Sequence, residues 1–160
     1  MLAKYMIKDF FRDIKWRYQR AKRGYADIDV WDIDYWFMNI IPKMLTQLKD
    51  TTHGAPMLID EGATEENRFE IWKGILNKMI YLANEMNEDT CHWKNEFEEA
   101  YFESLCNWDI FDESKRPTLS TDSTIGKKYY EEEKRIMEYR EGCKNKFFKM
   151  FSKYFYDLWD

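Results

Sequence analysis

A basic and aromatic segment lies near the amino terminus, between Tyr18 and Trp36. It reads YQRAKRGYADIDVWDIDYW and combines the cations Arg20, Lys22 and Arg23 with four aspartates and five aromatic residues. Cationic side chains bind phosphate, and aromatic rings stack on bases. This composition favours a site for an anionic, nucleotide-type ligand, whereas the plainer interpretation is a charged elbow between two helices.

The candidate ligand-binding residues surround the turn within this segment. Charge would come from Arg17, Arg20, Lys22 and Arg23, and stacking or shape from Tyr25 and Trp31. The same basic face could instead be merely solvated, or could contact an acidic protein surface or a membrane surface.

Charge is distributed unevenly along the chain. Residues 1–24 hold eight lysines and arginines against two aspartates, a balance of +6, so the whole-chain charge of −5 leaves −11 for residues 25–160. A long polyanion such as DNA would be repelled by the acidic remainder, whereas a small ligand in a local pocket would be affected less.

Two charged residues interrupt the apolar faces of the first two predicted helices. Arg17 lies within the apolar arc of the first helix and Asp34 within that of the second. If the two helices pack antiparallel, these side chains can form a buried bidentate pair that fixes helix register, although desolvation can cancel its net stabilisation. Arg17 could instead contact a ligand, and Arg140 is a competing partner for Asp34.

Residue patterns for other kinds of chemistry are missing. The four aspartates lack the central glycine and distal glutamate of a calcium loop. Only His53 and His92 offer imidazole, and the sequence contains no catalytic or phosphate-binding motif. Cys91, Cys106 and Cys143 are odd in number and include no C-x-x-C pair, so we interpret them as reduced, structural cysteines. We therefore predict a non-enzymatic protein without cofactor or metal.

Helical periodicity runs through most of the chain and would position these residues. Apolar residues at three and four spacing predict helices over about residues 2–22, 30–49, 68–87, 96–105 and 127–158. Gly24 would end the first helix, and Asp27 or Asp29 would cap the second. The first helix carries an apolar stripe that we expect to face the core: Ala3, Met6, Ile7, Phe10, Phe11, Ile14, Tyr18 and Ala21.

The predicted architecture is an all-α antiparallel bundle of four or five helices with a long C-terminal helix. It would form a single domain over residues 1–160, with residues 107–126 as a loop. No 18 apolar residues run together, so we expect a cytoplasmic protein that does not bind membranes through a spanning helix. The aromatic C-terminal helix could also pair with a copy of itself, which would give a homo-oligomer.

Two segments resemble an uncharacterised family of small proteins from tailed bacteriophages and prophages. They are RYQRAKRGYADIDVWDIDYWFMNIIPKMLTQLKDTTHGAP, residues 17–56, and FSKYFYDLWD, residues 151–160. The shared pattern is a basic R-G-aromatic-S-D turn, then D-x-W-x-x-D, an apolar helix with proline, a G-x-P loop and a C-terminal L-W-D. Ala26 stands where the pattern has serine.

The resemblance implies a phage origin, hence the cytoplasm of an infected bacterium, and no established activity. For a small non-enzymatic phage protein we expect stoichiometric binding, with counter-defence through capture of a nucleotide-type ligand as the first hypothesis. The second is inhibition of a host or defence protein through an acidic surface that includes Glu131, Glu132, Glu133 and the 107–126 loop. The third is a structural part in phage replication or assembly.

Overall fold

Five α-helices and two 3₁₀ turns make up most of the structure, a computed structural model that describes residues 2–57, 59, 63–106 and 124–159. The elements are α1 (Leu2–Arg23), a first 3₁₀ turn (Asp27–Val30), α2 (Ile33–Thr51), α3 (Arg68–Met86), α4 (Glu98–Cys106), α5 (Thr124–Lys153) and a second 3₁₀ turn (Phe155–Asp157). These ranges contain no β-strand. The predicted all-α fold is therefore confirmed, while nearly all of the predicted 107–126 loop lies outside the described residues.

The core forms between α2, α3 and α5, with α3 in the middle. Trp72, Leu76 and Met79 follow one another at helical spacing on α3 and are fully buried. Phe147 of α5 and Leu45 of α2 close over them from the two sides. Removal of these large side chains from water supplies the main stabilisation of the bundle.

The helix ends follow local rules for most of the chain. Gly24 has a φ of +82°, and its backbone N–H donates to the carbonyl of Arg20 at 2.9 Å, which ends α1 as expected. Neither Asp27 nor Asp29 caps α2, because both lie in the first 3₁₀ turn and α2 begins only at Ile33. The predicted second helix therefore starts three residues too early.

The first helix does not join the core, contrary to the sequence expectation. Phe10, Phe11, Ile14 and Tyr18 are between 46% and 64% exposed. Among the described elements, α1 makes more than isolated contact only with the first 3₁₀ turn. The core-facing side of α2 packs against α3, and α1 makes no comparable contact with α2 among the described residues.

The long C-terminal helix uses its apolar face within the bundle. Ile136, Cys143 and Phe147 are buried, and α5 packs against both α3 and α4. Self-association through α5 would have to use apolar residues that stay exposed, such as Met137 and Phe148. No helix in the described part of the chain is both long and apolar enough to cross a membrane.

Candidate binding site at the elbow

The elbow, residues 24–32, joins α1 to α2 and is held by a bidentate ion pair. The Arg20 Nε donates to Asp29 Oδ2 at 3.0 Å, and its Nη2 donates to Oδ1 at 2.5 Å. Asp29 Oδ2 also accepts the backbone N–H of Ala26 at 2.7 Å, and the Asp29 side chain is only 8% exposed. The hydrogen bond from Arg20 outweighs the effect of burial and lowers the pKa of Asp29 below its ordinary value.

A second set of contacts centres on Asp27. Arg23 donates to the Asp27 carboxylate and to the carbonyl of Tyr25, and its guanidinium lies 4.5 Å from the centroid of the Tyr25 ring. Gln19 binds Asp27 twice, donating to Oδ2 at 2.7 Å and accepting the backbone N–H at 3.0 Å. Lys15 Nζ lies 3.2 Å from Oδ2. These hydrogen bonds, that from Arg23 first, lower the pKa of Asp27 well below its ordinary value.

The predicted ligand-binding residues thus divide into two groups. Arg20 and Arg23 are already paired with aspartates, so much of their positive charge is compensated. Arg17 and Lys22 are exposed and form no ion pair with any described residue. Tyr25 is partly covered by Arg23, while Trp31 is 84% exposed on the outside of the elbow.

The predicted buried pair between Arg17 and Asp34 is not formed. Both side chains are exposed, and neither is within ion-pair distance of the other. The pair required α1 to pack along α2, whereas α1 makes its main contact with the first 3₁₀ turn. The competing partner, Arg140, shares a shallow groove with Asp34 but donates to Glu88 at 3.2 Å and to the carbonyl of Met86 at 3.3 Å.

An aromatic groove of about 810 Å³ lies between α1, the elbow and the start of α2. Trp16, Tyr35 and Trp36 provide rings along it, and Arg20 and Asp29 contribute the ion pair described above. Small-molecule sites occupy about 300 to 1,000 Å³ and are mainly apolar, so the groove has a suitable size. Tyr35 and Trp36 belong to the basic and aromatic stretch and Trp16 lies just before it, but only the structure separates the rings that line the groove from exposed Trp31.

The acidic surface proposed from Glu131, Glu132 and Glu133 is smaller than the sequence predicted. Glu132 is buried and accepts the indole N–H of Trp93 at 2.8 Å. Glu133 accepts from the Asn95 side chain at 2.8 Å. These two carboxylates therefore attach α5 to the 87–97 loop, and Glu131 is the one member of the trio that stays exposed. Nearly all of the 107–126 loop of this predicted surface lies outside the described residues.

A polar cluster around the buried side chain of Glu85, at the end of α3, was not predicted from the sequence. Glu85 Oε2 lies 2.5 Å from His92 Nδ1, accepts the hydroxyl of Tyr139 at 2.9 Å and lies 3.8 Å from the Cys91 thiol. Burial raises the pKa of Glu85, but the hydrogen bonds from His92 and Tyr139 together outweigh it and the pKa is lowered. Burial also raises the pKa of the Cys91 thiol. The only sequence signal was an adjacent Cys-His pair, which matches no established motif.

Comparison of the chain with protein-family models, with curated proteins and with solved structures finds no match.

Proposed function

We propose that the protein is a non-enzymatic binding protein that acts stoichiometrically and docks on a target protein through α1 and the elbow. The observation that carries this proposal is the exposed stripe, defined as Phe10, Phe11, Ile14 and Tyr18. These residues project from a helix that stands apart from the α2–α3–α5 core.

The exposed stripe has the spacing of a helical docking face. Phe10, Ile14 and Tyr18 are four residues apart and so lie along one side of α1. Contiguous exposed apolar residues are typical of interaction sites, and an amphipathic helix that lies in an apolar groove is a recurrent recognition mode. Arginine and lysine side chains on the other face of α1 would remain in water or contact an acidic rim.

The elbow gives this face a defined orientation before binding. The pairs Arg20–Asp29 and Arg23–Asp27 bridge the end of α1 and the first 3₁₀ turn. A docking element that is ordered in advance loses less conformational entropy on association, which favours affinity. The elbow therefore supports the proposal as a rigid mount for α1 rather than as an anion site.

The resemblance to small phage proteins suggests the class of target. For a phage-encoded protein the target would be a host or defence protein of the infected bacterium, which the bound protein inhibits. A part in phage replication or assembly would use the same docking face on a phage protein.

A second candidate function is capture of a nucleotide-type ligand in the aromatic groove. The specific observation in its favour is the set of rings from Trp16, Tyr35 and Trp36 around a volume of about 810 Å³. Arg17 and Lys22, which form no ion pair with described residues, do not line this groove. It ranks second because Arg20, the cation that lines the groove, is already neutralised by Asp29.

Site-specific cross-linking tests the first function. A photoreactive phenylalanine analogue replaces Phe11 in one protein and Tyr156, an exposed aromatic residue of the second 3₁₀ turn, in a matched control. In bacterial lysate, we expect a discrete adduct with one target protein from position 11 and none from position 156. Equal adducts from both positions, no adduct, or an adduct between two copies of the chain would overturn the proposal.

A further inference from the structure

Three possible metal ligands converge at the end of α3. A Glu85 carboxylate oxygen, the Cys91 sulfur and a ring nitrogen of His92 all lie within 4.8 Å of one another. The loop after α3 brings the three side chains together because it turns back at Asn87. The Asn87 carbonyl accepts the backbone N–H of Cys91 at 2.8 Å, and the Asn87 side-chain oxygen accepts the backbone N–H of Asp89 at 3.0 Å. The convergence of the three side chains therefore depends on this ordered turn at the end of α3.

We propose that Glu85, Cys91 and His92 form a zinc site with a fourth coordination position open to solvent. Thiolate, imidazole and carboxylate are the three side-chain ligands that zinc uses, and mixed sets of three leave one position for water. A site for magnesium or calcium would instead consist of oxygen ligands. The mixture of sulfur, nitrogen and oxygen thus selects a thiophilic transition metal.

Two of the three ligand separations lie within about 1 Å of the values for tetrahedral zinc. Tetrahedral zinc separates its oxygen and nitrogen ligands by about 3.3 Å and its oxygen and sulfur ligands by about 3.6 Å. The Glu85 oxygen already lies 3.8 Å from the Cys91 sulfur, whereas its distance to His92 Nδ1 is 2.5 Å and has to widen. The His92 side chain is 64% exposed, so its ring can move outward, and solvent can reach the site from the same side.

Surrounding groups hold the buried carboxylate in position. The Glu85 side chain is only 6% exposed, and Tyr139 donates to Oε2 at 2.9 Å. The Tyr139 hydroxyl in turn lies 3.1 Å from that of Tyr81, and its ring packs edge-on against His92. Metal-bound carboxylates and imidazoles depend on such hydrogen-bonded partners for their orientation. A purely structural Glu–His ion pair would not require a buried thiol beside it, so the position of Cys91 favours a metal site.

Cobalt substitution of the whole 160-residue chain, reduced and treated with a chelator, tests the site. We expect one equivalent of Co²⁺ to produce a thiolate-to-cobalt charge-transfer band and the intense visible bands of tetrahedral cobalt, and one equivalent of Zn²⁺ to displace them. Cys91→Ser should abolish the charge-transfer band, while Cys143→Ser, at another buried cysteine, should leave it. Tyr139→Phe, which removes a hydrogen bond to the Glu85 ligand, should weaken cobalt binding by about 10-fold or more.

Two results would overturn the zinc site. One is the absence of a charge-transfer band at one equivalent of Co²⁺, and the other is a band that Cys91→Ser leaves unchanged. If circular dichroism shows that Cys91→Ser does not fold, His92→Gln replaces it as the test variant. His92 is exposed, so we expect its substitution to leave the fold intact. Cobalt binding that is unchanged in folded His92→Gln would also exclude the proposed ligand set.

Discussion

At the scale of single residues, the charges of the elbow act chiefly on one another. Arg20 and Arg23, which the sequence favoured as ligand contacts, are bound to Asp29 and Asp27. The sequence placed the cations and aspartates in one turn, but spacing alone could not decide whether they would face a ligand or each other. That choice depends on the 3₁₀ turn, which brings Asp29 beneath Arg20.

Asp29→Asn should loosen the elbow without unfolding the bundle. The change removes a bidentate ion pair worth about 1 kcal/mol, so amide exchange at residues 24–31 should become roughly fivefold faster. Hydrogen exchange with mass-spectrometric detection measures this, and Asp34→Asn, at an exposed aspartate without an ion pair to described residues, is the matched control. Equal exchange in the two variants would show that the pair does not order the elbow.

The acid response of the elbow should depend on Arg20. Because the folded-state pKa of Asp29 is lowered from 3.8, its ionisation stabilises the folded elbow above about pH 4, and that stabilisation is lost as the pH falls through the lower folded-state pKa. Arg20→Gln removes the main cause and should raise the Asp29 pKa toward its ordinary value. Carboxyl ¹³C titration by NMR measures both midpoints, and an unchanged midpoint would contradict the assigned cause.

At the scale of elements, α1 and α3 show why amphipathic patterns are not equivalent. Both helices carry apolar residues at three and four spacing, yet Trp72 and Leu76 of α3 are fully buried whereas Phe10 and Ile14 of α1 are exposed. Periodicity identifies a face, but burial requires a second element with free apolar surface opposite it. The sequence could therefore predict the helix and its stripe, and could not predict what covers that stripe.

Substitution in the exposed stripe should cost little stability. Phe10→Ser together with Ile14→Ser should change the unfolding free energy by less than about 1 kcal/mol, because surface substitutions stay within about 0.5 kcal/mol each. Phe147→Ala should cost about 3 to 5 kcal/mol, because it leaves a cavity in the core. Urea denaturation of the two variants compares them directly. A loss of several kcal/mol in the stripe variant would mean that α1 packs into a core.

The contact between α3 and α5 contains a polar connection as well as the apolar core. Tyr139→Phe removes the hydroxyl that donates to buried Glu85, so the unfolding free energy should fall by about 1 to 2 kcal/mol. Tyr156→Phe, at an exposed tyrosine, should leave it unchanged within about 0.5 kcal/mol. Denaturant titration of both variants without added metal measures the difference, and equal stabilities would contradict the role given to Tyr139.

At the scale of the whole molecule, the all-α class and five helices with roughly correct bounds follow from periodicity. The cluster around Glu85 does not, because it depends on how one loop folds back on two helices. The elbow was visible in the sequence as a feature, and the pairing of Arg20 and Arg23 with aspartates favours the proposed role as a mount for α1 over that of an anion site. The proposed protein docking through α1 combines three observations: the paired elbow, the exposed stripe, and an α2–α3–α5 core to which no described residue of α1 belongs.

The most direct test of this account is the intact native mass after incubation with bacterial lysate, for three proteins side by side. They are the wild type, the stripe variant with Phe10→Ser and Ile14→Ser, and Met137→Ser as a control at an exposed apolar residue of α5. We predict a stoichiometric gain of one protein mass for the wild type and for Met137→Ser, and none for the stripe variant. Docking through α1 would be contradicted by an equal mass gain in all three proteins, by no mass gain in any of them, or by a mass gain no larger than that of a nucleotide.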